Sequence, residues 1–83
     1  MLQIKMNQKK KKVDYIALAS PFMRIPRMKV SGARALLDLG IKEIFELKGR
    51  DPNSLLADYS KIKKPDADLL GYFTLAVEFA DSD

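Results

Sequence analysis

Apolar residues recur three and four positions apart along most of the chain from residue 13 onward, which is the spacing of one helix face. No stretch shows the strict alternation of apolar and polar residues that a half-buried strand would have. Proline and glycine divide the pattern into short segments, at positions 21, 26, 40, 49, 52 and 65. The pattern therefore predicts an all-α fold, a compact bundle of five to six short helices.

The middle of the chain carries the clearest helix signals. Pro26 forces the helical turn before it to be short, because the residue that precedes a proline avoids helical geometry. A longer helix follows this proline, and Gly40 is placed as the left-handed residue that ends it after Leu39. This helix begins at Val30 or Ser31, and its predicted buried stripe comprises Ala33, Leu36 and Leu37.

The C-terminal half supplies three further helical segments. One is predicted within residues 41–47, and Asp51-Pro52 opens the next, with aspartate as N-cap and proline at the first helical position. The last begins at Pro65-Asp66 and is apolar around most of its circumference between residues 69 and 80. Such a helix lies at the centre of a bundle or carries a partner surface. Gly71 within it suggests that another backbone approaches closely at that point.

The positive charge is concentrated toward the N-terminus. Residues 1–34 hold nine basic residues and one acidic residue, whereas residues 35–83 hold six basic and ten acidic residues. Residues 1–12 end in Lys9–Lys12 and have few apolar partners, so we expect a disordered basic arm followed by a single domain over residues 13–81. The arm either attracts a polyanion or only solubilises an ordinary domain.

The residue types present exclude most catalytic chemistry. The chain has no cysteine and no histidine, which removes thiolate nucleophiles, imidazole bases and the usual zinc-ligand sets. Two carboxylate pairs remain, Asp66 with Asp68 and Glu43 with Glu46, and carboxylates so spaced usually serve helix starts or solvated faces. We therefore expect no enzyme, no cofactor and no metal site. The lack of cysteine, of a signal segment and of a membrane-length apolar run favours a cytoplasmic protein without a membrane partner.

Three separated segments give a resemblance to a known family. Ile25-Pro26 and the segment from Ala33 to Ile41 resemble a helix-hairpin-helix motif, in which two helices flank a Pro-Gly-Val/Ile-Gly hairpin. Residues 40–56 and 66–80 extend the likeness to the bacterial pathogenicity-locus family of small helix-hairpin-helix proteins, over about residues 15–81. The resemblance implies a helix-hairpin-helix domain with a SAM-like arrangement in a bacterial protein.

This chain departs from the helix-hairpin-helix motif in the hairpin itself. In nucleic-acid-binding members, hairpin N–H groups and the positive end of the second helix point at phosphate oxygens, and glycines permit that approach. Here Arg27 and Lys29 stand in place of the two glycines, with Met28 between them. Their side chains either hinder phosphate approach or replace it with charge of their own. Relatives tend to carry cysteines where this chain has Asp68 and Leu75, so no thiol role is carried over.

The hairpin region forms the predicted interface, with candidate residues Arg24, Arg27, Lys29, Ser31 and Arg34. We expect a non-catalytic module that binds nucleic acid without sequence preference through phosphate contacts, with double-stranded DNA as the expected ligand. Ser31 either donates a hydrogen bond to phosphate or only caps its helix. Aromatic residues are not interleaved with the basic ones along the sequence, which argues against base stacking on single strands.

The alternative is a protein-interaction module whose hairpin has lost phosphate binding. Two features favour it: the exchange of both hairpin glycines and the nearly all-apolar last helix. In that case the last helix and the acidic C-terminal half would contact a protein partner or a second copy of the chain in a homodimer. The competing explanation for the apolar helix is that it forms the core of a small bundle.

Overall fold

The computed structural model describes residues 13–82, and these residues contain helices and loops but no strand. The elements follow one another as α1 (Tyr15–Leu18), η1 (Pro21–Arg24), α2 (Val30–Asp38), η2 (Ile44–Leu47), α3 (Pro52–Ser60) and α4 (Leu69–Asp81), where η denotes a single-turn 3-10 helix. The predicted all-α class is confirmed. The predicted number of five to six helices is too high, because the described residues form four α-helices and two 3-10 turns. The predicted arm, residues 1–12, lies outside the described residues.

The centre of the bundle is α4, which packs against α2, α3 and η2. One face of α4 is buried over its whole length, and Phe73 on this face is fully covered. Tyr59 of α3 meets the Phe73 ring edge-on, with ring centroids 6.3 Å apart, an arrangement that suits the quadrupoles of two aromatic rings. The apolar last helix is therefore mainly core. The buried face comprises Leu69, Phe73, Ala76, Val77 and Ala80.

The end of α2 confirms the prediction that Gly40 ends this helix in a left-handed conformation. Gly40 has a φ of +86° and donates its N–H to the Leu37 carbonyl, while Ile41 donates to the Leu36 carbonyl. These two bonds form a Schellman motif, which satisfies carbonyls left free at a helix end. Ile41 is buried after this turn, and the chain is still extended at Glu43, which has a φ of −128° and a ψ of 149°. The helix predicted over residues 41–47 is therefore reduced to the 3-10 turn η2, which begins at Ile44.

The start of α3 is also as predicted, whereas that of α4 is not. Asp51 accepts a hydrogen bond from the Asn53 N–H at 2.9 Å, and Pro52 is the first helical residue. The last helix begins at Leu69 rather than at Pro65-Asp66. Residues 65–68 form a loop and a turn instead, and the helix starts at its first buried residue.

The close approach of two helices occurs at Gly32, and the prediction for Gly71 was wrong. A Cβ on Gly32 would lie 2.7 Å from the Met28 sulfur and 2.8 Å from the Cβ of Tyr72 on α4. Real Cβ atoms do not approach neighbours so closely, so only glycine fits between α2 and α4 at this point. Gly71 is exposed, and a Cβ there would meet nothing within 4 Å. A side chain would therefore clash at Gly32, whereas it would meet only open space at Gly71.

We predict that alanine at these two positions will change stability in opposite directions. Gly32→Ala should lower the free energy of unfolding by about 1–3 kcal/mol, because a filled site is overpacked. Gly71→Ala should raise it by about 0.5–1 kcal/mol, because alanine is the better helix former in an open position. Urea denaturation followed by circular dichroism measures both. A Gly32→Ala protein as stable as the parent would contradict the contact between Gly32 and Tyr72.

Candidate nucleic-acid interface

A tight turn, Ile25–Met28, connects η1 to α2. The Met28 N–H donates to the Ile25 carbonyl at 3.1 Å, and Arg27 has a φ of +68°. Proline at the second position and a positive φ at the third are the features of a type II turn, whose third position favours glycine or asparagine. Here an arginine takes that position. Because η1 is one 3-10 turn rather than an α-helix, the helix-hairpin-helix unit stays a prediction.

The two residues that stand in place of the motif's glycines differ in backbone geometry. A side chain in the left-handed region costs roughly 1–2 kcal/mol, so Arg27 holds a strained conformation that a glycine would adopt freely. Lys29 has a φ of −105° and a ψ of 160°, which is ordinary extended backbone. Of these two residues, only Arg27 therefore has the positive φ that favours glycine.

The turn is held in place by buried residues on either side of its tip. Ile25 and Met28 are both buried, and the Met28 sulfur packs over Gly32. Between them, Pro26 and Arg27 are exposed. The core thus holds the turn on the body of the protein and directs the Arg27 side chain to the surface.

Lys29 and Ser31 lie at the start of α2. Lys29, rather than Ser31, is the N-cap, and α2 has no side-chain cap hydrogen bond among the described residues. Ser31 is exposed in the first turn, so the interpretation of Ser31 as the cap was wrong. The N–H groups of Gly32 and Ala33 both bond to the Lys29 carbonyl. A helix start without a side-chain cap keeps its positive end open to an anion.

Arg34 is separated from the other candidates by its ion pairs. Its Nε lies 2.7 Å from Asp14 Oδ2 and its Nη2 lies 2.9 Å from Asp14 Oδ1, which is a two-pronged contact. Its Nη1 donates to Asp38 at 3.3 Å, and Asp38 also lies 3.4 Å from the Lys63 ammonium. Asp14 in turn caps α1 by accepting the Ala17 N–H. Arg34 therefore links α1 to α2, and its donors are directed at carboxylates.

The contacts in this network shift the pKa values of Asp14 and Arg34. The hydrogen bonds from the Arg34 guanidinium, together with that from the Ala17 N–H, lower the pKa of Asp14 from 3.8 to about 2. The same contact with Asp14, and the one with Asp38, raise the pKa of Arg34. The pair is partly open to solvent, with about a third of each side chain exposed. Its role is to hold α1 on α2.

Arg24 and Arg27 border two neighbouring hollows that share Phe79 of α4. Arg24 lines a hollow of about 380 Å³ with Phe45 and Lys48, and Arg27 lines a smaller one of about 230 Å³. The predicted site did not include Phe45, Phe79 or Lys48. The sequence feature that points to Phe45 is the three-residue period of a 3-10 helix. This period places Phe45 on a different face of the turn from Ile44, so Phe45 is exposed when Ile44 faces the core.

The remaining candidate carboxylates have structural roles or stand in solvent. Glu46 accepts the N–H groups of Lys42 and Glu43, and Glu43 accepts in return, which makes a capping box at the start of η2. Asp66 and Asp68 are exposed beside the start of α4. Within residues 13–82 no cluster of three carboxylates could hold a metal ion. None of the helices there has the length and apolar content needed to cross a bilayer.

We predict that Arg34 controls the titration of Asp14. The Asp14 pKa is lower in the folded protein than its usual value, so the pair stabilises the fold above about pH 4, and this stabilisation is lost as the pH falls toward 2. Arg34→Gln should return the pKa of Asp14 toward 3.8. Arg34→Lys should leave it between these values, because an ammonium cannot form the fork. Carboxyl carbon NMR titration measures this, and an Asp14 that titrates near its usual value in the parent protein would contradict the pair.

Comparison of the chain with protein-family models, with curated proteins and with solved structures gave no match. The resemblance to the pathogenicity-locus family therefore stays a prediction.

Proposed function

We propose that this protein is a non-catalytic module that binds nucleic acid without sequence preference through phosphate contacts made by the turn at residues 25–28 and its flanks. The observation that carries the proposal is the disposition of Arg24, Arg27 and Lys29. All three are exposed, and none forms an ion pair with a residue of the described chain. Exposed cations that are close in the sequence and form no ion pair among the described residues favour phosphate binding.

Each residue has a distinct part in this proposal. The Arg27 guanidinium forks onto phosphate oxygens in place of the backbone contact that a glycine would permit. Lys29 supplies a point charge beside the start of α2, which has no side-chain cap among the described residues, so the positive end of the helix also favours an anion. The exposed Ser31 hydroxyl can donate to the same phosphate. Arg34 is not a contact in the proposed interface, because Asp14 and Asp38 hold its donors.

The lysines of the N-terminal arm add attraction that does not depend on the turn. Lys9–Lys12 follow one another in the sequence and lie outside the described residues. A run of this kind releases counterions from any polyanion and increases the salt dependence of binding. A test of the turn must therefore compare variants of the full chain, in which the arm is constant.

We predict micromolar binding to a short blunt DNA duplex that weakens steeply between about 50 and 200 mM salt. Arg27→Ala and Lys29→Ala should each weaken binding by about 5-fold at low salt, and each should reduce the salt slope by about one. Fluorescence anisotropy with a labelled duplex measures both quantities. The matched control is Lys64→Ala, which also removes one exposed charge. Lys64 serves as a control because its neighbour Lys63 contacts Asp38, which is the last residue of α2, whereas Lys29 lies at the start of that helix.

Arg27→Gly separates charge from backbone strain at the same position. Glycine relieves the positive φ, so this variant should be as stable as the Arg27→Ala variant or more stable, by about 1 kcal/mol. If the side chain provides the phosphate contact, both variants lose the same salt slope, although Arg27→Gly regains part of the affinity through the backbone contact that a glycine permits. An Arg27→Ala protein that binds as well as the parent, with an unchanged salt slope, would show that the arginine is not the contact. Lack of duplex binding at low salt would refute the proposed function.

A second candidate function is protein interaction through α1. Tyr15 and Ile16 are exposed over 72% and 70% of their surfaces, and Val13 and Leu18 add to the same short segment. Exposed apolar patches of this kind mark partner surfaces. The sequence analysis predicted this surface on the last helix, one face of which the structure buries in the core. On this hypothesis the parent chain self-associates and Tyr15→Ser restores a monomer, as measured by sedimentation. A parent that is monomeric at every concentration would rule out the homodimer.

A further inference from the structure

Phe45 is 70% exposed, although it belongs to a helical turn that packs on the core. Residues three apart share a face of a 3-10 helix, so Ile44 and Leu47 lie on one side of η2. Leu47 is fully buried and Ile44 is half-buried, which leaves Phe45 facing outward. The capping box of Glu43 and Glu46 fixes the start of this turn. The exposure of the ring is thus imposed by backbone geometry.

Phe79 reaches the same surface from α4. Its side chain is 36% exposed, and it lines the larger hollow together with Phe45, Arg24 and Lys48. The hollow has a volume of about 380 Å³. This is large enough for a small flat ligand, since binding sites for small molecules measure roughly 300–1,000 Å³. Two aromatic rings that lie far apart in the sequence therefore border one cavity.

The charges around this hollow favour an anionic ligand. Neither Arg24 nor Lys48 forms an ion pair with a residue of the described chain. Asp81 lies nearby in the sequence and accepts the Gly49 N–H at 2.8 Å, but it does not line this hollow. Glu78 lies in the neighbouring hollow, where Arg27 is also found. A ligand that combines flat rings with negative charge matches two exposed rings beside two cations that have no carboxylate partner within residues 13–82.

We propose that the aromatic surface formed by Phe45, Phe79, Arg24 and Lys48 binds unpaired nucleotides of a single-stranded nucleic acid. Bases stack on the two phenylalanine rings, and the phosphates between them contact the two cations. This inference rests on the proposed function, because Phe79 also lines the hollow beside Arg27. A strand held at the turn can therefore continue onto the aromatic surface. The bases of a duplex are stacked on one another and cannot use the rings.

Two other occupants of the aromatic surface give different results in the same test. An acidic peptide would use the cations and would bury an apolar side chain, for which any large aliphatic residue is an adequate neighbour. A second copy of the chain would make the oligomeric state depend on Phe45. Stacking, in contrast, requires a π-face, and it tolerates every base.

The test uses full-length variants at Phe45 and two labelled probes, a single strand and a blunt duplex of the same sequence. Phe45→Ala and Phe45→Leu should each weaken single-strand binding by about 5-fold or more, and Phe45→Trp should preserve it. Duplex binding should change by less than about 2-fold in all three variants. Ile62→Ala is the matched control, because Ile62 is also an exposed apolar side chain and lines neither hollow. Circular dichroism melts confirm that each variant is folded.

The aromatic ring signals of Phe45 and Phe79 provide a second readout. Stacked bases should shift both sets of ring protons when the single strand is added, and the duplex should not. Single-strand binding that is unchanged by Phe45→Ala, or that survives Phe45→Leu, would overturn the stacking proposal while duplex binding by the turn still stands. A dimer that Phe45→Ala dissociates would also overturn it. If neither probe binds, the proposed function fails and this inference fails with it.

Discussion

The contact between Gly32 and Tyr72 determines how closely α2 fits against the central helix of this protein. It is possible only because Gly32 has no side chain, and it brings α2 directly against the central helix α4. The Met28 sulfur fills the remaining space at the same point, so the turn before α2 is held by the same packing. The turn and the exposed end of α4 then meet, and Arg27 lies in the same hollow as Phe79. A packing constraint in the core thus positions the turn on which the proposed function depends.

The basic residues around α2 divide into two groups with different physical roles. Arg34 forms a fork with Asp14, and its network contains two cations and two carboxylates. It therefore holds parts of the fold together and adds no net charge to the surface. Arg27 has no such partner within residues 13–82, and it occupies a backbone conformation that costs energy. Strained residues persist where the surrounding structure fixes them, and they are often found at functional sites. The strain at Arg27, together with the exposure of its side chain, is therefore consistent with a function for this turn.

Local signals in the sequence predicted much of the fold. The cap at Gly40 and the start at Asp51-Pro52 depend only on neighbouring residues, and both are present. Two local signals failed, the start at Pro65-Asp66 and the cap at Ser31. Other failures occurred where the outcome depends on distant parts of the chain. The partner of Arg34 lies 20 residues away, and no local pattern identifies it. The choice between Gly32 and Gly71 as the point of close approach depends on which helix face meets a neighbour.

The candidate site was predictable as a segment but not as a surface. Arg24, Arg27 and Lys29 could be selected from the sequence because they cluster along the chain. Phe45 and Phe79 are 34 residues apart, and the fold brings them to one hollow with Arg24. The sequence argued against base stacking because basic and aromatic residues are separate along the chain. In three dimensions they are neighbours, since a 3-10 turn exposes one ring and the end of the core helix exposes the other.

The central claim is that the turn at residues 25–28, rather than the lysine arm, is where nucleic acid is recognised. Amide NMR titration of the full chain with a short duplex tests this claim most directly, because it reports each segment separately. The claim predicts shifts at residues 24–31, including Arg27 and Lys29, and little change at Arg34 or at residues 61–64. Shifts confined to Lys9–Lys12 would contradict it, because the chain would then bind only through generic attraction.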